Sequence, residues 1–172
     1  SQERMSQEMA TFTDAIHQVS PPKAGVASYG ILATSGEPIG TYAGMSVNGT
    51  DVMLISRSGY RFNLDNSGQV SNLLEKRYFN TPNCFGEAYA PVHAGVVFKV
   101  DNDELWYSPL DAKSGKLQVY SSMDANGICQ TYKGDAIVGR AILMNDVNIT
   151  EVNNSRFELE PRLVLLNSDP AP

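Results

Sequence analysis

Met5, Met9, Phe12, Ile16 and Val19 follow one another at four-three-four-three spacing, and the run stops at Pro21-Pro22. An apolar stripe of that period lines one narrow side of a helix, the seam of a coiled coil. So narrow a seam is covered by copies of itself rather than by a globular core, and it predicts an oligomer before it predicts any chemistry. The double proline removes backbone donors and forces an extended path. The expected organisation is therefore an amphipathic stalk helix at 1–20, a Pro-rich linker at 21–25, a β-rich head at 26–166 and a disordered tail at 167–172.

Beyond the linker, short alternating or apolar runs recur about every ten residues, separated by turn residues, which is the pattern of an all-β domain. Strands are expected at 26–33, 39–47, 52–56, 60–64, 69–73, 77–79, 95–100, 105–107, 116–121, 128–132, 136–143 and 156–166. Asn48-Gly49 suits a two-residue hairpin whose central positions both need positive φ. Asp65-Asn66-Ser67-Gly68, Lys113-Ser114-Gly115 and Asp124-Ala125-Asn126-Gly127 supply further hairpin loops. The polar stretch 145–155 reads as a long excursion before the last strand. The fold class is mainly β: an antiparallel β-sandwich or barrel-like head behind a short coiled-coil helix, assembled as a homotrimer.

With 42% hydrophobic residues in 172, the chain can bury one core of ordinary size. A net charge of −6 repels phosphate and speaks against nucleic acid and anionic membrane surfaces as partners. No apolar run reaches the roughly 18–20 residues that a membrane-inserted helix needs. Cys84 and Cys129 lack a CxxC partner, which removes a zinc ribbon or a thioredoxin-like pair. Both sit in turn-rich segments flanked by tyrosines, Tyr78 to Tyr89 and Tyr120 to Tyr132. Two such turns lying side by side could be stapled by a disulfide, which implies an oxidising compartment; two buried free thiols are the alternative.

Catalytic signals are sparse. His17 belongs to the stalk, and His93 lies in Pro91-Val92-His93-Ala94-Gly95, where a general base is conceivable and a structural role is the plainer reading. Gly44-Met45-Ser46-Val47-Asn48-Gly49 misses a nucleophile elbow by one residue. Asp101-Asn102-Asp103-Glu104 offers hard oxygens to calcium without the EF-hand order, so a polar hairpin tip is the default and no metal or cofactor is assigned. Aromatics are more suggestive. Trp106-Tyr107 must use opposite faces of a strand, so one ring should be more exposed than the other. Tyr29, Tyr42, Tyr60, Tyr78, Tyr89, Tyr120 and Tyr132 recur along the expected strands, where rings pack sheets or stack on sugars. The cations Arg57, Arg61, Lys76, Arg77, Lys113 and Lys116 flank turns in pairs that an oligomer would multiply.

Taken in order, Val26-Ala27-Ser28-Tyr29-Gly30, Gly36-Glu37-Pro38-Ile39-Gly40-Thr41-Tyr42, Gly59-Tyr60-Arg61-Phe62, the Tyr78 to Tyr89 cysteine turn, Glu104-Leu105-Trp106-Tyr107, the turn from Ser121-Ser122 to Cys129 and Phe157-Glu158-Leu159-Glu160-Pro161 resemble the C-terminal head domains of bacterial collagen-like surface adhesins. The Legionella collagen-like adhesin is the type in question, with related fibre-tip domains. The resemblance implies a secreted or surface-exposed homotrimer, with no cofactor, whose head binds glycosaminoglycan or another extracellular polymer. This chain departs from the pattern in having a heptad stalk instead of a collagen repeat and in being acidic. The expectation is thus a non-enzymatic adhesin-like head that grips a glycan or a host surface protein at Arg57, Arg61, Lys76, Arg77, Trp106, Tyr107, Lys113 and Lys116. A small secreted hydrolase using an acidic pair or His93, and a structural trimerisation cap on a fibre, are the alternatives.

Overall fold

The computed structural model describes residues 27–33, 38–46, 50–101, 104–153 and 159–167. The seam residues Met5, Met9, Phe12, Ile16 and Val19 lie outside the described residues. The chain is mainly β, with thirteen strands and one short helix among the described residues. Among the described residues, the ladders that pair these strands are antiparallel. The chain divides into two compact units: residues 1–57, 63–70 and 155–172, and residues 58–62 and 71–154.

The first unit holds a five-stranded sheet in the order β13-β1-β2-β3-β4. Its strands are β1 (Ala27–Ala33), β2 (Pro38–Met45), β3 (Val52–Ile55), β4 (Arg61–Leu64), whose first two residues are assigned to the second unit, and β13 (Leu159–Asn167). Val-Met-Leu-Ile in β3 alternates buried and half-buried positions, and Val52, Leu54 and Leu64 are closed off from solvent, as period-two patterning requires. β2 and β3 form the expected hairpin, with Met45 opposite Val52 and the Ser46 N–H donated to the Asp51 carbonyl. Val47, Asn48 and Gly49 at its tip lie outside the described residues.

The second unit is built on an eight-stranded sheet. Its strands are β5 (Lys76–Phe79), β6 (Ala88–Ala90), β7 (Val97–Val100), β8 (Glu104–Tyr107), β9 (Gly115–Leu117), β10 (Ser121–Asp124), β11 (Cys129–Thr131) and β12 (Ile137–Met144). The path runs β11-β10-β5-β6-β12-β8-β7, with β9 added on β12. Phe79, Ala88, Ala90, Phe98, Val100 and Ile142 form the buried core, and Cys84 packs among them. Residues 69–73 make two isolated bridges, Leu64 to Val70 and Leu73 to Lys99, in place of the expected strand. Residues 116–121 break at the buried Val119 into β9 and β10, which pair with different strands.

Aspartate sets the turns. Asp124 Oδ1 accepts the N–H groups of Asn126 and Ile128 at 2.9 and 3.0 Å, and Gly127 takes φ 77° to close the β10–β11 hairpin. Asp65 Oδ1 does the same for Ser67 and Gln69. In the excursion after β12, Asp146 caps a one-turn helix, α1 (Val147–Thr150), by accepting the Asn148 N–H at 2.9 Å. Thr150 is fully buried and donates its hydroxyl to Asn145 Oδ1 at 2.6 Å, while the Glu151 carboxylate accepts the Ser58 N–H.

At Gly139, β12 runs close against the backbone of its neighbour. A Cβ there would stand 2.7 Å from the Ala90 carbonyl oxygen and 2.9 Å from its carbon, both backbone atoms inside the sheet. Gly139→Ala should cost about 1–3 kcal/mol through overpacking, read as a lower urea midpoint with an unchanged slope. An unaltered midpoint would mean that the sheet gives way without strain.

A tyrosine face as the candidate functional site

β5 separates its side chains by alternation. Arg77 and Phe79 point into the unit, at 7% and 5% exposure, whereas Lys76 is exposed and Tyr78 half-buried on the opposite face. Residues directly opposite in an antiparallel ladder share a face. Tyr78 stands opposite Tyr89 on β6 and opposite Ser122 on β10, and Lys76 stands opposite Asp124. The small Ser122 leaves room for Tyr132, just beyond β11, to meet the Tyr78 ring edge-on at 5.6 Å between centroids and 85° between planes. The Tyr132 N–H is donated to the Tyr120 carbonyl, and the Tyr120 side chain is half exposed. Three tyrosines from β5, β6 and the end of β11 thus form one aromatic surface, with Tyr120 at its margin.

The hydroxyls are partly committed. Tyr89 donates to Glu87 Oε2 at 2.6 Å, and Tyr132 donates to the Asp135 carbonyl at 2.9 Å. The hydrogen bond to Glu87 and burial together raise the Tyr89 phenol above its ordinary value, while burial and the neighbouring Tyr60 and Asp146 do the same at Tyr107. A phenol raised in the folded state contributes stability that is complete below its unfolded pKa, about 10, and disappears as the pH climbs through the higher folded value. Unfolding midpoints should therefore fall from pH 9 to pH 11, and Tyr107→Phe should flatten that fall. A midpoint independent of pH over that window would contradict the argument.

The other expected site residues scatter. Arg77 and Tyr107 are interior, which corrects their reading as surface contacts. The Arg77 guanidinium carbon lies 4.9 Å from the centre of the Trp106 ring, Nη2 reaches Met123 Sδ at 3.0 Å, and Asp101 Oδ2 stands 3.9 Å away. A weakly hydrated guanidinium tolerates such a site because the ring face and the carboxylate replace part of its water. Tyr107 meets Tyr60 edge-on at 5.5 Å and is 4% exposed, while Trp106 on the other side of β8 is half-buried and donates Nε1–H to Glu104. The two rings differ in exposure as their adjacency requires. Lys76 is the one cation of the expected set placed on the tyrosine face. Arg57, Arg61, Lys113 and Lys116 are exposed, in the turn after β3, at the start of β4, in the loop before β9 and at the centre of β9.

In the acidic turn after β7, Asp101 is directed toward Arg77, and Asn102 and Asp103 lie outside the described residues. Among the described residues no three His, Cys, Asp or Glu side chains gather as a metal site would need. His93 is exposed in the loop after β6. Arg140, which the sequence reading passed over, clasps two loops, its Nη1 donating to the Val92 carbonyl and its Nε to the Ala112 carbonyl.

Cys84 and Cys129 are joined in a disulfide, with 6.0 Å between their Cα atoms. It ties the turn between β5 and β6 to β11, and so fixes the strand that carries Tyr132. No helix among the described residues is long and apolar enough to cross a membrane. Set against protein-family models, curated proteins and solved structures, the chain has no match.

Proposed function

We propose that this chain is a non-enzymatic binding head, exported to an oxidising compartment or the cell surface, that holds an extracellular glycan through shallow sites repeated around an oligomer. The observation that carries the proposal is the convergence of Tyr78, Tyr89 and Tyr132 on one sheet face. Flat rings held by strands rather than loops present C–H-rich sugar faces with a rigid stacking surface, and ordering them on binding costs little. Glu87 and Asp124 at the margin can accept sugar hydroxyls. The disulfide supports an oxidising compartment.

With the Glu87 carboxylate bonded to Tyr89 and Asp124 opposite Lys76, the face is not dominated by cations and suits neutral sugars better than sulfated ones. This narrows the expectation drawn from the turn cations, of which Lys76 stands in the ladders that carry the tyrosines. A hydrolytic role would require His93 or an acidic pair to converge with other groups, and no observation favours that over binding. The adhesin resemblance remains a guide to the ligand class alone.

Titration of the full chain with neutral oligosaccharides of several linkages tests the reading. Tyr78→Ala should weaken binding by about tenfold or more, the effect of removing a central aromatic contact. Raising the salt from 50 to 500 mM should change the affinity little, because no dominant charge pair is screened. Steep salt dependence, with Tyr78→Ala as tight as the parent, would move the site to the exposed arginines and lysines.

A further inference from the structure

The loop after β12 carries a second feature, independent of the tyrosine face. Asp146-Val147-Asn148-Ile149-Thr150 contains an Asn-x-Thr acceptor sequence with a carboxylate two residues before the asparagine. The same order of acid, asparagine and hydroxyl recurs at once in Glu151-Val152-Asn153-Asn154-Ser155. Asn148 is exposed, on the solvent side of α1, and only its backbone N–H is engaged, by Asp146. Beside it in the same turn, Val147 and Ile149 are 47% and 46% exposed, so the turn presents bare apolar side chains to solvent.

We propose that Asn148 carries an N-linked oligosaccharide, which shields Val147 and Ile149. In the transfer, Asn148 Nδ2 forms a bond to C1 of the first sugar of a polyprenyl-diphosphate-linked oligosaccharide. The C1–O bond breaks, the lipid diphosphate leaves with the electron pair, and a base of the transferase takes the amide proton. No oxidant or reductant is involved. Asp146 supplies the negative charge by which an acid-dependent transferase selects this asparagine.

The fold dictates when this happens. Thr150, whose hydroxyl the transferase must engage, is fully buried and bonded to Asn145. Transfer therefore precedes closure of the loop, on the chain as it enters the compartment where the Cys84–Cys129 bond forms.

The test is mass spectrometry of the protein isolated from the cells that make it. Trypsin cutting after Arg140 and Arg156 releases a single peptide holding both asparagine sequences. The expected result is a sugar mass on that peptide, localised by fragmentation to Asn148 and lost in Asn148→Gln with the thermal midpoint unchanged apart from the missing sugar. Asp146→Asn keeps a competent helix cap and should lose the sugar as well. A bare peptide, or sugar confined to Asn153 or to serine and threonine, would overturn the proposal, and a sugar retained in Asp146→Asn would overturn the role given to that carboxylate.

Discussion

Replacing Cys84 and Cys129 together with alanine should lower the unfolding free energy by about 4 kcal/mol, the chain-entropy cost of releasing a loop of this length. The two cysteines are 45 residues apart in sequence, so the bond removes much of the freedom of the unfolded chain. For a protein of this size the loss corresponds to a fall of about 10 °C in Tm. The folded state magnifies the effect locally. All three residues of β11 are exposed, so no buried side chain anchors that strand, and only its ladder to β10 and the disulfide hold it. Releasing it should loosen Tyr132 against Tyr78 and weaken ligand binding even at temperatures where the double variant is folded. Denaturation with and without reductant checks the first part, and oligosaccharide titration of the alanine variant checks the second. A Tm within 2 °C of the parent would show that the bond constrains neither state.

The second large effect concerns the stalk. If the amino-terminal seam joins several heads, Met9→Glu, Phe12→Glu and Ile16→Glu together place like charges at the seam and should release monomers. Binding to a surface dense in ligand should then fall by about 10²–10⁴-fold, the range that linking weak sites can supply. The affinity of a single head for a short oligosaccharide should stay as it was. Solution mass by light scattering, beside surface and solution binding of the same preparations, separates the two quantities. A parent chain that is already monomeric would remove the multivalent part of the proposal and leave the face itself untouched.

The strands were legible where alternation and turn chemistry agreed. Val52 to Ile55, with one face buried, and the aspartate-led loops at Asp65 and Asp124 are local signals, and the structure uses them as the chemistry of their residues implies. β6 escaped notice because Ala88-Tyr89-Ala90 is short and alanine favours strands poorly; its place comes from pairing with β5 and β12. α1 was hidden for the opposite reason. Val147, Ile149 and Thr150 are β-branched and speak against a helix, and the turn exists because Asp146 caps it and Thr150 is buried beneath it. The site was half visible. Each tyrosine could be named from the sequence, but Tyr132 reaches Tyr78 only through the ladder of β10 on β5, strands far apart in the chain, which no local spacing encodes. Conversely, Arg77 looked like a surface cation because nothing adjacent to it reveals that Trp106, 29 residues further along the chain, will lie against its guanidinium.

Ring signals of the tyrosines, assigned by single Tyr→Phe variants and followed by NMR during titration with a neutral oligosaccharide, address the central claim most directly. The account predicts that Tyr78, Tyr89 and Tyr132 shift together with one dissociation constant while the interior Tyr60 and Tyr107 stay in place. Shifts that spare all three of those rings and appear instead beside Arg57, Arg61, Lys113 or Lys116 would contradict it.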